Sequence, residues 1–141
     1  MARLPIATRE SVPEAQRAVF DEISINSHVG HHHVKIKTKE SSDVYFSRIT
    51  VPPGGFSGWH THPGPSLVAV KSGTTTVYSG DDPTCTGVPF AAGTGWIDEG
   101  GGHVHNVRNE GTVTLEELVF QVIPVGADRR IDAPDPGFCP F

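Results

Sequence analysis

The chain has 141 residues and a formal charge of −5, from 11 Lys+Arg against 16 Asp+Glu. That length leads us to expect one domain with one core. The acidic balance argues against a nucleic-acid backbone as main partner, because phosphate neutralisation needs a basic face. No run approaches the roughly 20 apolar residues of a membrane span, and the start, MARLPIATRESVPEAQ, lacks the apolar core of a signal peptide. The expectation is a cytoplasmic chain with no membrane partner. The 16 Gly and 12 Pro punctuate turns and suit many short strands.

In chain order, Ser11 and Glu14 have capping-box spacing, and Val12, Ala15, Val19 and Ile23 recur at helical period. Residues 12–24 are therefore expected to form a short amphipathic helix, followed by a loop (25–33) carrying His28, His31, His32 and His33. Val34, Ile36 and Thr38 alternate with Lys35, Lys37 and Lys39 as in a half-exposed strand. Further strands are expected at 44–51, 56–62, 66–71, 74–79, 95–98, 103–109 and 113–123, separated by Gly, Pro and Asp turns. Such a series points to an all-β sandwich or barrel. The tail from Pro124 reads as irregular. For Cys85 and Cys139, two free thiols are the default in a reducing compartment. A bridge tying down the tail is the alternative.

Histidine is the second excess, with eight residues. His60 and His62, and again His103 and His105, stand two apart. In a strand such pairs point to one face, so three or four imidazoles converge if the two strands are neighbours. Imidazole suits Fe, Zn, Mn or Ni, among other divalent ions. The run His31–His33 cannot converge in this way, because adjacent strand residues face opposite sides.

These residues resemble the cupin family. Gly54, His60, His62 and Gly73 fit the spacing of its first motif, G-x5-H-x-H-x3,4-E-x6-G. Gly102, His105 and Asn109 fit the core of its second, P-x-G-x2-H-x3-N, with Gly100 in place of the proline. The resemblance implies a double-stranded β-helix (jelly-roll) barrel over 31–125. A short N-terminal helix and loop (1–30) would pack on it, followed by a tail at 126–141. It also implies a divalent metal held by His60, His62 and His105. The family's glutamate ligand is missing, and Ser66 takes its place. The centre is then a three-histidine site with open positions, or His103, Asp98 or Glu99 supplies a fourth ligand, or the metal is lost and the histidines line a pocket. His103 is also a candidate acid or base.

Alternation directs Ser66, Val68 and Val70 inward, places Phe56 on the His60 face and puts Asn109 on the His105 face. The 113–123 strand carries Glu117, Val119 and Gln121 on one side and Leu118, Phe120 and Val122 on the other, with the inward side open. Gln121 is taken as a pocket residue. Trp59 and Trp96 are expected to pack between sheets. No inward Arg or Lys is evident, which favours a small neutral or mono-anionic, metal-chelating substrate. The leading expectation is a dioxygenase-type oxidoreductase. A non-redox lyase or isomerase and a non-catalytic small-molecule binder are the alternatives. A homodimer is expected from the family's habits. Residues 11–23 also faintly resemble helical starts of carboxymuconolactone decarboxylase-like proteins, without that family's catalytic part.

Overall fold

A computed structural model of the protein describes residues 36–141. The described chain carries nine strands: β1 (Ser42–Val51), β2 (His60–Thr61), β3 (Ser66–Ser72), β4 (Thr74–Ser79), β5 (Val88–Ala91), β6 (Gly95–Asp98), β7 (His105–Arg108), β8 (Leu115–Pro124) and β9 (Ile131–Asp132). They form two antiparallel sheets, ordered β1-β8-β3-β6 and β5-β4-β7-β2-β9, the all-β arrangement expected from the strand pattern and the jelly roll implied by the motif resemblance. No helix among the described residues is long and apolar enough to cross a membrane. The helix expected over 12–24 and the histidine-rich loop after it lie outside the described residues.

Strand register decides which residues meet inside. Directly paired residues share a sheet face. On β8, Gln121 pairs with Tyr45 and Ser66, Val119 with Ser47 and Val68, and Glu117 with Ile49 and Val70. This row faces the other sheet, and Glu117, Val119 and Gln121 are buried, which settles the inward side of the long strand. The opposite face of the same sheet pairs Phe46 with Phe120 and leaves both exposed to solvent. Where the inward row reaches Val70 and Leu115 it closes into a core with Val107, against which Val51, Val77, Phe90 and Trp96 pack. Each such side chain contributes about 1.5–3 kcal/mol on burial. Towards Ser66 and Gln121 the same row opens onto a cavity instead.

Four expectations change. Residues 36–40 form no strand: β1 begins at Ser42, opposite Pro124, where β8 ends, so an earlier extension has no neighbour in that sheet. The run 56–62 is broken, with one bridge at Phe56 and a two-residue strand at His60, because Gly58 adopts φ +73° between them. Val88–Ala91 is a strand despite Pro89. It lies at the sheet edge, where a missing N–H is tolerated. The tail is partly regular: Ile131 and Asp132 add β9 beside β2.

The cysteines are also joined, Cys85 to Cys139, so the default of free thiols does not hold. Asp82 organises the loop on one side by accepting from Thr84 N, Thr84 Oγ1 and Thr86 N. Beyond Cys139, the Phe141 ring packs on Tyr78 and lies under the Arg108 guanidinium. The end of the tail thereby covers the outer face of the β4–β7 pair.

Candidate metal centre

The centre begins with one strand pairing: His60 on β2 lies directly opposite His105 on β7, so both imidazoles leave the sheet on the same side. His62 follows two residues after His60. Ring centroids are 4.4 Å apart for His60–His105, 4.9 Å for His60–His62 and 5.4 Å for His62–His105. One ring nitrogen from each residue lies within 4.8 Å of the other two.

Hydrogen bonds fix which nitrogens are free. His60 Nδ1 donates to Gly58 O at 2.8 Å and His62 Nδ1 to Arg129 O at 2.5 Å. A carbonyl can only accept, so each Nδ1 carries the proton and each Nε2 keeps its lone pair. His105 Nδ1 has no hydrogen-bond partner; the Asp98 carboxylate stands 3.7 Å from it. Burial lowers the pKa of His60 and of His105 to about 4, and the nearby His62 and the Arg130 guanidinium push the same way. Both rings are thus neutral near pH 7. Three buried or half-buried imidazoles with converging nitrogens fit a divalent ion of the Zn, Fe, Mn or Ni kind.

The residues proposed for a fourth ligand stand elsewhere. Asp98, wholly buried, falls with His103 and His105 in a second cluster whose spacing could hold an ion, and not in the cluster with His60 and His62. His103 precedes β7, so alternation from His105 does not reach it. Its half-exposed ring stacks on His105 at 5.8 Å, with Nε2 2.9 Å from Ser79 Oγ. Glu99 lines a separate surface cavity with Pro63 and Pro65. Ser79, His103 and Asp98 form a hydroxyl–imidazole–carboxylate row. The Ser79 hydroxyl, however, donates to Asp81, so His103 donates to Ser79 and does not act as its base.

The backbone around the centre explains one departure from the second motif. Gly100 has φ +69°, and a Cβ there would stand 2.2 Å from Gly64 O. Proline, fixed near φ −65°, is incompatible with this turn.

The cavity in front of the histidines has a volume of about 760 Å³. Phe56, Ser66, Val68 and Gln121 line it, whereas two other expected pocket residues do not. Val70 lies one inward position further along β3, in the core cluster. Asn109 is a turn anchor, donating to Val51 O and Val113 O and accepting from Gly111 N. Trp96 lines the cavity and meets His105 edge-on, while Trp59 is buried outside the lining. Ser66, in the place of the family's glutamate, is buried with its hydroxyl unpartnered.

Three lining groups carry chemistry that strand patterning did not place. Glu117 is buried at the cavity floor. Desolvation raises its pKa, against the opposing pull of the Thr75 hydroxyl and the Trp96 indole. Arg129 and Arg130 reach the cavity from the tail, reversing the expectation of no inward cation. The available signal was the run Arg129-Arg130-Ile131-Asp132, a charged and β-branched stretch inside a Pro-rich tail.

Residues 47–120 match the family model described as the Cupin domain. No curated protein matches the chain. Among solved structures, an uncharacterised conserved protein with a double-stranded β-helix domain from Klebsiella pneumoniae aligns with TM-score 0.53 and 21% identity, over 82% of this chain and 95% of that one. The DMSP lyase DddQ from Ruegeria pomeroyi aligns with TM-score 0.56 and 15% identity, over 67% of this chain and 45% of that one. The polyketide cyclase RemF from Streptomyces resistomycificus aligns with TM-score 0.53 and 18% identity, over 66% and 64%. At these identities the likeness is one of fold.

Proposed function

Because the chain belongs to the cupin family, we propose that it is a mononuclear-metal enzyme in which His60, His62 and His105 hold a divalent ion and a small chelating organic molecule is the substrate. The observation that carries this reading is the pair of Nδ1–H···O=C bonds that leave Nε2 of His60 and of His62 free beside His105. When bound, the ion would supply Lewis acidity towards a chelating oxygen and, if it is iron, reactivity towards O2. The protein's own groups do the rest. The three imidazoles contribute no charge, and Ser66 adds none where the family has a glutamate. Val68, Val107, Val119 and Trp96 make the walls apolar and displace water.

The charge-neutral donor set and apolar walls favour a dioxygenase-type oxidoreductase. The test is oxygen uptake by Fe(II)-loaded protein with diketones, catechols and thiols. Uptake should disappear in His60→Ala and in His105→Ala, and absence of uptake with every compound would remove this reaction class.

One observation favours a second, non-redox reading. Glu117 shares the cavity and holds its proton above the usual carboxylate range, which suits a lyase or isomerase that must move a proton. Turnover under argon that is lost in Glu117→Gln, with metal content unchanged, would select it.

The proposed partner is a second copy of the chain, for which exposed Phe46 and Phe120 on the outer face of β1 and β8 offer apolar area. Sedimentation should show a dimer, and a monomer for Phe46→Asp. The Cys85–Cys139 bridge favours an oxidising compartment over the cytoplasm, and fractionation of the source cells would test it.

A further inference from the structure

The two tail arginines are held differently. Arg130 Nε pairs with Asp132 Oδ1 at 2.7 Å, and its Nη2 donates to Ser57 O at 2.7 Å, so its charge is already met by a carboxylate. Arg129 Nε donates to Gln121 Oε1 at 3.1 Å and its Nη2 to Ser47 Oγ at 2.8 Å, and the guanidinium lies over the Tyr45 ring at 4.4 Å. All three partners are neutral, and among the described residues no carboxylate pairs with it. Arg129 is therefore fixed in place by the barrel, at the edge of the cavity, with its charge met by no carboxylate among the described residues.

The donor count sharpens this. A guanidinium has five N–H groups. Arg129 commits the Nε proton and one on Nη2, which leaves both Nη1 protons and the second Nη2 proton. Nη1 and Nη2 form the end-on fork of the group, whose two parallel donors match the two oxygens of a carboxylate. Among the described residues the one carboxyl in the cavity lining, Glu117, is buried.

We propose that Arg129 is the specificity-determining residue of this cavity and that it selects a small carboxylate-bearing molecule, whose anionic group it binds while the remaining oxygen functions face the histidines. This rests on the metal-site reading for the histidine end of the cavity, but not for the arginine end.

Two probes of nearly equal shape separate the carboxylate's contribution: 2-oxobutanoate and the neutral 2,3-pentanedione, which share a keto oxygen that can face the histidines and differ only in the carboxylate or acetyl oxygen presented to Arg129. Their dissociation constants are measured by calorimetry on the full chain, Zn(II)-loaded and metal-free, for the wild type, Arg129→Gln and Arg129→Lys. The expected result is that the wild type binds the acid at least tenfold more tightly than the dione. Arg129→Gln should lose that preference without changing zinc content or dione affinity, and Arg129→Lys should fall between, since a point charge lacks the fork. Equal affinity for acid and dione in the wild type would overturn the proposal, as would an acid affinity untouched in Arg129→Gln. Should Arg129→Gln fail to fold, the wild-type comparison and Arg129→Lys still decide. A chain that takes up no zinc yet keeps the Arg129-dependent preference would refute the metal reading and leave the carboxylate assignment standing.

Discussion

Nδ1 of His62 donates to the main-chain carbonyl of Arg129, 67 residues away, at 2.5 Å. The same carbonyl accepts from Gln121 Nε2, and the Arg129 side chain returns a bond to Gln121 Oε1. A few residues on, β9 pairs with His60 and Thr61, and Ala133 N donates to Trp59 O. The C-terminal tail thus aims two of the three candidate ligands, and its far end is tied down by Cys139.

Opening the disulfide is expected to weaken metal binding as well as the fold. Closing a loop of 54 residues stabilises by on the order of 4 kcal/mol in the chain-entropy view, so the melting temperature should drop by roughly ten degrees on reduction. Loss of the carbonyl that orients His62 should lower metal affinity about 10–100-fold. Cys85→Ser with Cys139→Ser, followed by a chelator-competition titration, checks both. A melting shift with unchanged metal affinity would show that the tail holds β2 without the bridge.

Asp98→Asn should cut metal affinity by about tenfold or more, because the Asp98 carboxylate lies 3.7 Å from Nδ1 of His105 and is the charged group placed to orient it. The amide keeps the carboxylate's shape, so the melting temperature of the metal-free protein distinguishes lost orientation from a damaged fold. His103 also leans on Asp98, at 3.4 Å, and His103→Ala should leave metal affinity within about twofold if it is not a ligand.

The metal-free protein should lose stability as the pH falls below about 6.5. His60 and His105 have folded pKa values of about 4 and unfolded values of about 6.5. Between those values the unfolded chain binds more protons, so stability rises with pH there and is flat above. At pH 4 each histidine should cost up to about 3 kcal/mol relative to pH 7. Denaturant titrations at pH 4.5, 5.5 and 7 measure the slope. The slope should shrink in His60→Ala, which removes one of the two groups.

Gly100→Ala should destabilise by about 2 kcal/mol or more, combining a left-handed backbone with a Cβ that meets Gly64 O at 2.2 Å. Gly101, also at positive φ (+65°) but with open space around its Cβ position, should cost less on the same change. Urea midpoints for the two variants give the comparison.

The barrel and three of its histidines were legible because they depend on local rules. Two-residue spacing placed His60 with His62, and alternation placed Ser66 and Val68 inward. Parity failed at His103, which precedes its strand. At Val70 the inward face was right and only the reach of the cavity was not, while Asn109 anchors the turn just past its strand. The tail was illegible for a different reason. Arg129, Arg130 and Cys139 act through contacts with β1, β2, β8 and the Cys85 loop, and no local period encodes pairing across such distances. Strand patterning misled in the same place: it showed no inward Arg or Lys, whereas Arg129 and Arg130 line the cavity from the tail.

Metal content of the purified protein, measured by elemental analysis before and after incubation with Fe(II), Mn(II), Ni(II) or Zn(II), tests the central claim most directly. The account predicts about one divalent ion per chain, lost in His60→Ala and in His105→Ala but kept in His103→Ala. A chain that carries no metal and gains none from any of the four ions would contradict it.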